Sequence, residues 1–439
     1  MIDLKLLREK PEIFKKAARN KNFEIDIDKI LDLDRKRRDA ARAVDNLRAE
    51  QNSASEIIAG EKDKDEKKDI IGKMRNLKAD LEKSEESLKN IDAELSSLLM
   101  QIPNVPFDNV PVGKNDKDNV VLREVGKKQI FAFEPKDYMK IAKQRGWIDV
   151  ERASKVSGSR FGYIKGELAL LEFAIIRYVF DFLMNSERLN KVIQSAACDV
   201  RDTAFMPVLP PVVVKPEYMD AMGFLTGDIA EDMYFLEKDN LYLVGTSEQS
   251  IGPMHSGETF NDSNLPLRYV GFSTCFRREA GSYGKDTKGI LRVHQFDKIE
   301  MISFCHPEKS RDEHRFLLAL NEAMMNEFEL PYRVVHISTG DMGLSKAEQF
   351  DIETWIPSEN TYRETHSASN ITDFQARRLN IKHKGNDESG YVHMLNATAF
   401  AIGRILIAII ENFQTEDAKV KIPKELQSYL GRVEIPSQK

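Results

Sequence analysis

Two stretches near the N-terminus carry their apolar side chains at alternating steps of three and four. The first runs through Ile30, Leu33, Arg37, Ala40, Val44, Leu47, Gln51, Ala54 and Ile58. The second runs through Ile70, Met74, Leu77, Leu81, Ser84, Leu88, Ile91, Leu95, Leu98 and Ile102. A mean step of about 3.5 residues is the repeat of a coiled-coil seam. Between the two runs, AGEKDKDEKKD has a glycine and a dense charge cluster but no apolar face, so the chain is expected to reverse there. Two helices of similar length joined by a short polar turn pair antiparallel. At the helical rise per residue each spans about 45 Å, and such a hairpin is expected to project from the body. Taken alone, the pattern reads as a dimerisation coiled coil. Residues 1–24 (Ile2, Leu4, Leu6, Leu7, Ile13, Phe14, Ala17) predict one short amphipathic helix capping the hairpin's base.

The pattern changes near residue 103. IPNVPFDNVPVG brings three prolines, Pro103, Pro106 and Pro111, and reads as an extended linker. From residue 130 onward, helical stretches such as ELALLEFAIIRYVFDFLM alternate with β-rich runs: LYLVGTSE, LRYVGFSTCFRRE, ILRVHQFDKIEMISF and YRVVHISTG. Strands separated by long loops, without a regular helix between each pair, predict a mainly antiparallel sheet flanked by helices.

Composition narrows the picture. The 439 residues are 41% hydrophobic and 31% charged, with a formal net charge of -6. Any nucleic-acid contact must therefore come from local basic patches. The N-terminal segment is charged throughout and no run approaches the ~18 apolar residues of a membrane span, so a cytoplasmic protein without a membrane partner is expected. Cys198, Cys275 and Cys305 fit no disulfide or zinc spacing. Cys305 and His306 are adjacent, half of a metal-ligand set, but no second cysteine is near. Both read as ordinary strand-end residues.

The densest chemistry lies in FRREAGSYGKDTKGILRVHQFDKIE (276–300). Two strand-like runs flank a loop rich in glycine and lysine, which predicts a hairpin with a cationic tip. Strand alternation puts Arg277 and Glu279 on one face and Arg278 on the other. It also puts Arg292, His294, Phe296, Lys298 and Glu300 on one face if that strand is regular. Arginines grip phosphate or carboxylate in bidentate fashion, and an aromatic can stack a purine. A surface ladder of ion pairs would account for one Arg/Glu pair, but poorly for so many charges around Phe296. No Walker A spacing and no G-x-G-x-x-G follows a strand, so a nucleotide would have to lie on the sheet surface.

That stretch resembles motif 2 of the class II aminoacyl-tRNA synthetases, and the seryl family in particular. MPVLPP, with Pro210 and Pro211, resembles motif 1. LNATAFAIGRILIAIIENFQ resembles motif 3, with Arg404. DIETWIPSENTYRETHSASNITDFQARR resembles a segment found in seryl enzymes, and the N-terminal hairpin with its IPNVP exit agrees. The resemblance runs collinearly over essentially the whole chain. It implies an α+β fold in which an antiparallel β-sheet catalytic domain flanked by helices (106–439) follows a tRNA-binding domain (1–105). That first domain holds an antiparallel two-helix coiled-coil arm at about 30–102.

The resemblance also implies roles. Arg277 would hold the α-phosphate of ATP, Glu279 the adenine amino group, Phe296 the adenine face and Arg404 the γ-phosphate. Val293, Thr365 and His366 complete the ATP set, while Glu364 and Ser367 would ligate Mg2+, a cation that prefers oxygen ligands. Thr246 and Glu248 would take the serine ammonium group, with Ser247 between them in the serine-binding set, and Arg292 its carboxylate. Glu300 and Thr398 would read its hydroxyl, with Asn396 supporting that wall. Arg35, Arg38, Arg42 and Arg48, with Lys73 and Lys78, would meet tRNA(Ser), and selenocysteine tRNA is a second candidate substrate. A homodimer would form through motif 1.

The sequence departs from the family at His366, where a small residue is usual, and at QSIGPMHSGE after Glu248. Ala397 and Thr398 stand where many members have glycine and serine. The expected function is ATP-dependent activation of L-serine and its transfer to tRNA(Ser). Two alternatives are a class II paralogue that charges a carrier protein, which would have no use for the arm, and an inactive RNA-binding relative, which would lack the ATP residues.

Overall fold

A computed structural model describes residues 2–60, 63–280, 289–386 and 388–435. Contacts divide the chain into two compact units, 1–103 and 104–439.

In the first unit, α1 (Leu4–Glu9) and α2 (Pro11–Asn20) replace the single expected helix. Pro11 has no N–H to donate, so it starts a helix better than it continues one. Two long helices follow, α3 (Ile27–Gly60) and α4 (Lys64–Gln101). Ion pairs Lys29–Glu94, Arg37–Asp92 and Arg48–Glu85 run in opposite chain directions, so the helices are antiparallel. Every seam position named above is buried or half-buried, with Ile30, Val44 and Leu95 nearly sealed. The periodicity also missed a polar member: Asp34 is fully buried and takes both Arg8, at 2.7 Å, and Arg38. Part of the expected reversal segment, residues 61–62, lies outside the described residues.

In the second unit, an eight-stranded sheet comprises β1 (Val120–Val125), β2 (Met206–Val208), β3 (Leu267–Phe276) and β4 (Gln295–Cys305), then β5 (Tyr332–His336), β6 (Glu348–Ile356), β7 (Thr361–Thr372) and β8 (His393–Ala401). The spatial order is β1-β5-β6-β7-β8-β4-β3-β2. All pairings are antiparallel except β2 with β3. Helices α5 (Glu167–Leu183), α6 (Ser310–Glu327) and α7 (Ile402–Asn412) supply most of the core against one face, through residues such as Leu171, Phe182, Phe316, Met324, Ile405 and Ile409. The segment after residue 103 is not a free linker. Asn104 Nδ2 donates to the carbonyls of Ser345 (2.8 Å) and Ile371 (2.7 Å), and Phe107 N–H to that of Ala347.

The face of β4 changes character along its length. Ile299 and Met301 enter the main core, while Ile302 and Phe304 enter a smaller one on the opposite side. Phe296, Lys298 and Glu300 share the second face and line a cavity. A buried pair, Arg268 with Glu313 (2.6 and 2.7 Å), ties β3 to α6. Arg268 Nη1 also donates to the carbonyls of Arg201 and Thr203, so the buried charge is held by four hydrogen bonds.

Candidate active site

The cavity has two lobes on the sheet face away from the main core, and Arg277, Lys298, Glu364 and Thr398 line both. The first lobe adds Glu279, Arg292, Val293, Phe296, Thr365 and Arg404. The second is larger, about 410 Å³, and adds Thr246, Glu248, Glu300, Ser367 and Asn396. Widely separated segments of the sequence therefore meet at one place.

Arg277 and Glu279 reach the cavity by a route other than strand alternation, because β3 ends at Phe276. Beyond it, Arg277 N–H donates to the carbonyl of His294, Arg278 N–H to that of Asp232, and Ala280 N–H to the Asp232 carboxylate. Glu279 sits at φ 54°, a left-handed backbone that turns its side chain inward. Arg278 faces away, with its guanidinium 4.5 Å from the Tyr234 ring centre. The guanidinium of Arg277 lies 5.4 Å from the Phe296 ring centre. The expected hairpin tip, 281–288, lies outside the described residues.

The ladder expected from Arg292 to Glu300 is cut short, since β4 begins only at Gln295. His294 leaves the set, and its Nδ1 lies 3.0 Å from the carbonyl of Arg277. Arg292 stays in the first lobe, where it pairs with Glu279 at 3.1 Å. It is absent from the lining of the second lobe.

Glu300 is the hub of the second lobe. Its carboxylate accepts from Thr246 (3.4 Å) and Thr398 (3.3 Å) and pairs with Lys298. All four side chains are at most 9% exposed. Glu248 accepts from Gln375 at 3.0 Å, and burial pushes its pKa up. Ser247 is fully buried and outside the lining; its hydroxyl is 3.5 Å from the carbonyl of Gly271, so it positions the backbone. After Glu248, Gln249 accepts the Gly245 N–H at 2.7 Å and lines the same lobe.

Two bulges decide which residues of β7 and β8 face the cavity. In β8 the pairing jumps from Phe400 to Thr398, leaving Ala399 as the extra residue. Asn396, Thr398 and Ala401 then face the cavity, while Ala397, Ala399 and Phe400 enter the core. In β7 the jump leaves Thr365 extra, so Glu364 and Ser367 share the cavity although three positions apart. His366 is thereby driven to the other face, and its side chain is outside the lining of both lobes. It is 1% exposed, packs edge-on to Phe400 at 4.9 Å, and burial holds its pKa down at about 3.

Arg404, in the first turn of α7, donates to the carbonyl and carboxylate of Glu364, at 2.9 and 3.1 Å. Burial works to raise the Glu364 pKa, but Arg404, Lys346 and Arg277 outweigh it and the group ends below its usual value. Asp351, which sequence reasoning missed, stands opposite Ser367 across the β6–β7 ladder. Gln349 donates to both, at 2.7 and 3.0 Å. Burial and the neighbouring Glu364 push Asp351 up to about 7. Two carboxylates and a hydroxyl crowd one spot, and hard oxygen donors under mutual repulsion suit Mg2+.

The expected RNA-binding cations are exposed but already paired. Arg35 meets Asp32, Arg38 Asp34, Arg42 Asp39, Arg48 Glu85 and Lys78 Glu82. Lys73 also has an interaction partner. No helix among the described residues is long and apolar enough to cross a membrane.

Residues 234–413 match the tRNA synthetase class II core domain (G, H, P, S and T), and residues 1–106 match the seryl-tRNA synthetase N-terminal domain. A serine–tRNA ligase of Dictyoglomus turgidum is 41% identical over 443 residues, covering 100% of both chains. Among solved structures, seryl-tRNA synthetase from Pyrococcus horikoshii complexed with ATP has a TM-score of 0.87 at 35% identity over 100% of both chains. The cytoplasmic serine–tRNA ligase from Naegleria fowleri in complex with AMP has a TM-score of 0.83 at 30% identity, covering 100% of this chain and 99% of that one.

Proposed function

The chain belongs to the seryl-tRNA synthetase family, and from that premise we propose how its cavity works. The protein activates L-serine with ATP to seryl-adenylate and transfers the seryl group to the 3′ end of tRNA(Ser). Residues 1–105 form the tRNA-binding domain and 106–439 the catalytic domain.

ATP lies in the first lobe, with adenine against Phe296 and Glu279, and with the α-phosphate at Arg277, where the two lobes meet. Serine lies in the second lobe, its ammonium group between Thr246 and Glu248. A serine carboxylate oxygen attacks the α-phosphorus in line, and the bond to the β-phosphate oxygen breaks as pyrophosphate leaves. A ribose hydroxyl of the tRNA then attacks the adenylate carbonyl carbon and AMP departs. No protein nucleophile takes part; positioning and charge neutralisation lower the barrier. The α-phosphate sits beside Arg277, which makes Arg277 a better carboxylate neighbour than Arg292, held by Glu279 in the first lobe. Arg404 must release Glu364 to reach the γ-phosphate. Glu364 and Ser367, with Asp351 beside them, would hold Mg2+, which supplies charge neutralisation to the phosphates when bound.

The observation that carries the serine assignment is the Glu300 hub. A buried carboxylate flanked by two threonine hydroxyls and a lysine suits a small substrate hydroxyl, and alanine, which has none, would leave those polar groups without their substrate partner. Apolar side chains at Met206 (60% exposed) and Leu209 (79%), on or beside the edge strand β2, support a homodimer through motif 1.

Amino-acid-dependent ATP–pyrophosphate exchange with serine, threonine, alanine and glycine tests the reading. Serine should dominate. Exchange with none of them would refute it, and exchange without tRNA charging would favour the carrier-protein alternative.

A further inference from the structure

Outside the lining of both cavity lobes, a second constellation joins three segments of the second unit. The strand Lys382–Lys384 pairs in parallel with the strand Thr259–Asn261, and Asp262 follows the latter directly. His383, whose side chain is 4% exposed, points Nδ1 at Asp262 Oδ1, 2.9 Å away. His306, the first residue after β4, brings Nε2 to 3.9 Å from Asp262 Oδ2. The two imidazoles meet edge to face, with centres 4.7 Å apart. One donor atom from each of the three side chains lies within 4.8 Å of the others, and among the described residues no other His, Cys, Asp or Glu trio does this.

We propose that Asp262, His306 and His383 form a binding site for one zinc-like divalent cation, which clamps the small sheet to the end of β4. Two imidazoles, borderline nitrogen ligands, select zinc over magnesium or calcium, and one carboxylate is compatible with it. The three leave the fourth tetrahedral position to water at a partly exposed rim. Tetrahedral bonds of about 2.0–2.1 Å put ligand atoms roughly 3.3 Å apart. The Asp262–His383 pair is already that close, so closure falls mainly to His306, whose side chain is 22% exposed and stands at a strand end.

A supporting carboxylate is in place as well. His306 Nδ1 accepts the Glu308 backbone N–H at 3.4 Å, and Glu308 Oε2 lies 3.9 Å from the same nitrogen; once Nε2 binds the cation the proton moves to Nδ1, which must exchange the backbone N–H for that carboxylate. Cys305 takes no part. It faces the main core, fully buried, and burial pushes its thiol well above the usual range. The residue next to the cysteine, and not the cysteine itself, is the ligand.

The full-length chain, stripped with chelator and dialysed, should bind one equivalent of Zn2+ in competition with a chromophoric chelator. His306→Gln and Asp262→Asn, both at the rim, should each weaken binding at least about tenfold while serine-dependent pyrophosphate exchange stays unchanged. Zn2+ should raise the Tm of the unaltered protein and not that of His306→Gln. Co2+ in the same site should give d–d bands without a thiolate charge-transfer band. No bound equivalent, an affinity in either variant equal to that of the unaltered protein, or a thiolate band would overturn the assignment.

Discussion

At the scale of single residues, Glu300 concentrates the chemistry. Its carboxylate is the shared acceptor of Thr246 and Thr398 and the partner of Lys298. Glu300→Gln keeps the shape but removes the charge and replaces one acceptor with a donor. Serine-dependent exchange should fall, and the preference for serine over alanine should narrow by about 100-fold or more, since such discrimination rests on a buried partner left unpaired. A second residue makes a statement about pH. Glu172 of α5 faces Asp297 of β4, and burial, with Asp297 beside it, pushes its pKa up to about 8. The folded state therefore holds a proton that the unfolded chain gives up near the usual carboxylate value. This contribution to stability is fully present below about pH 4.5 and is lost as pH rises through about 8, with a slope of up to ~1.4 kcal/mol per pH unit. Urea unfolding between pH 5 and 8 should show that slope in the unaltered protein, and Glu172→Gln should flatten it.

At the scale of elements, the arm separates two contributions. Its seam comes from side-chain period and its cross-links from Arg37–Asp92 and Arg48–Glu85, exposed pairs worth little individually. A charge at the seam should undo what the surface pairs cannot hold. Val44→Asp, at a position 2% exposed, should lower helical content and reduce tRNA charging more than about tenfold, since an unpaired buried charge costs several kcal/mol. Serine-dependent exchange should remain within about twofold, because the seam contributes no cavity residue. Equal loss of both activities would mean that the arm's role is structural. The strands of the sheet teach a different lesson. The bulges at Thr365 and Ala399 invert side-chain parity part-way along β7 and β8, and they decide that Ser367 serves the cavity while His366 fills the core.

At the scale of the whole molecule, a net charge of -6 leaves RNA binding to local cations that are paired with acids in the free protein. If, as proposed, the arm's cations meet the RNA, its phosphates must displace those acids, so charging should be sensitive to salt and exchange should not. Raising monovalent salt from about 50 to 200 mM should raise the KM for tRNA by roughly tenfold or more while the KM for serine moves little. A serine KM that rose in parallel would place the salt effect in the cavity.

Much of this protein is legible in its sequence wherever information is local. The arm's seam follows from a repeat of three and four, because a helix face is written into spacing alone. The cavity residues Arg277, Glu279, Phe296, Glu300, Glu364 and Arg404 were found through motif resemblance, and an antiparallel sheet through strand-like runs without intervening helices. Other features depend on partners that are distant in sequence. The parity flips at Thr365 and Ala399 arise in pairing with neighbouring strands, so no alternation rule read along one strand places His366 or Ser367. Resemblance points Arg292 to a serine carboxylate, whereas its pairing with Glu279 across the motif 2 turn is visible only in the structure. Asp351 and the meeting of Asp262, His306 and His383 become visible only when segments far apart in the chain fold together. The sequence by itself determined the periods, the motifs and the reaction class they imply; the tertiary structure alone decided which face each side chain serves and which distant groups share one site, because both are properties of pairing between strands and not of the order of residues within one.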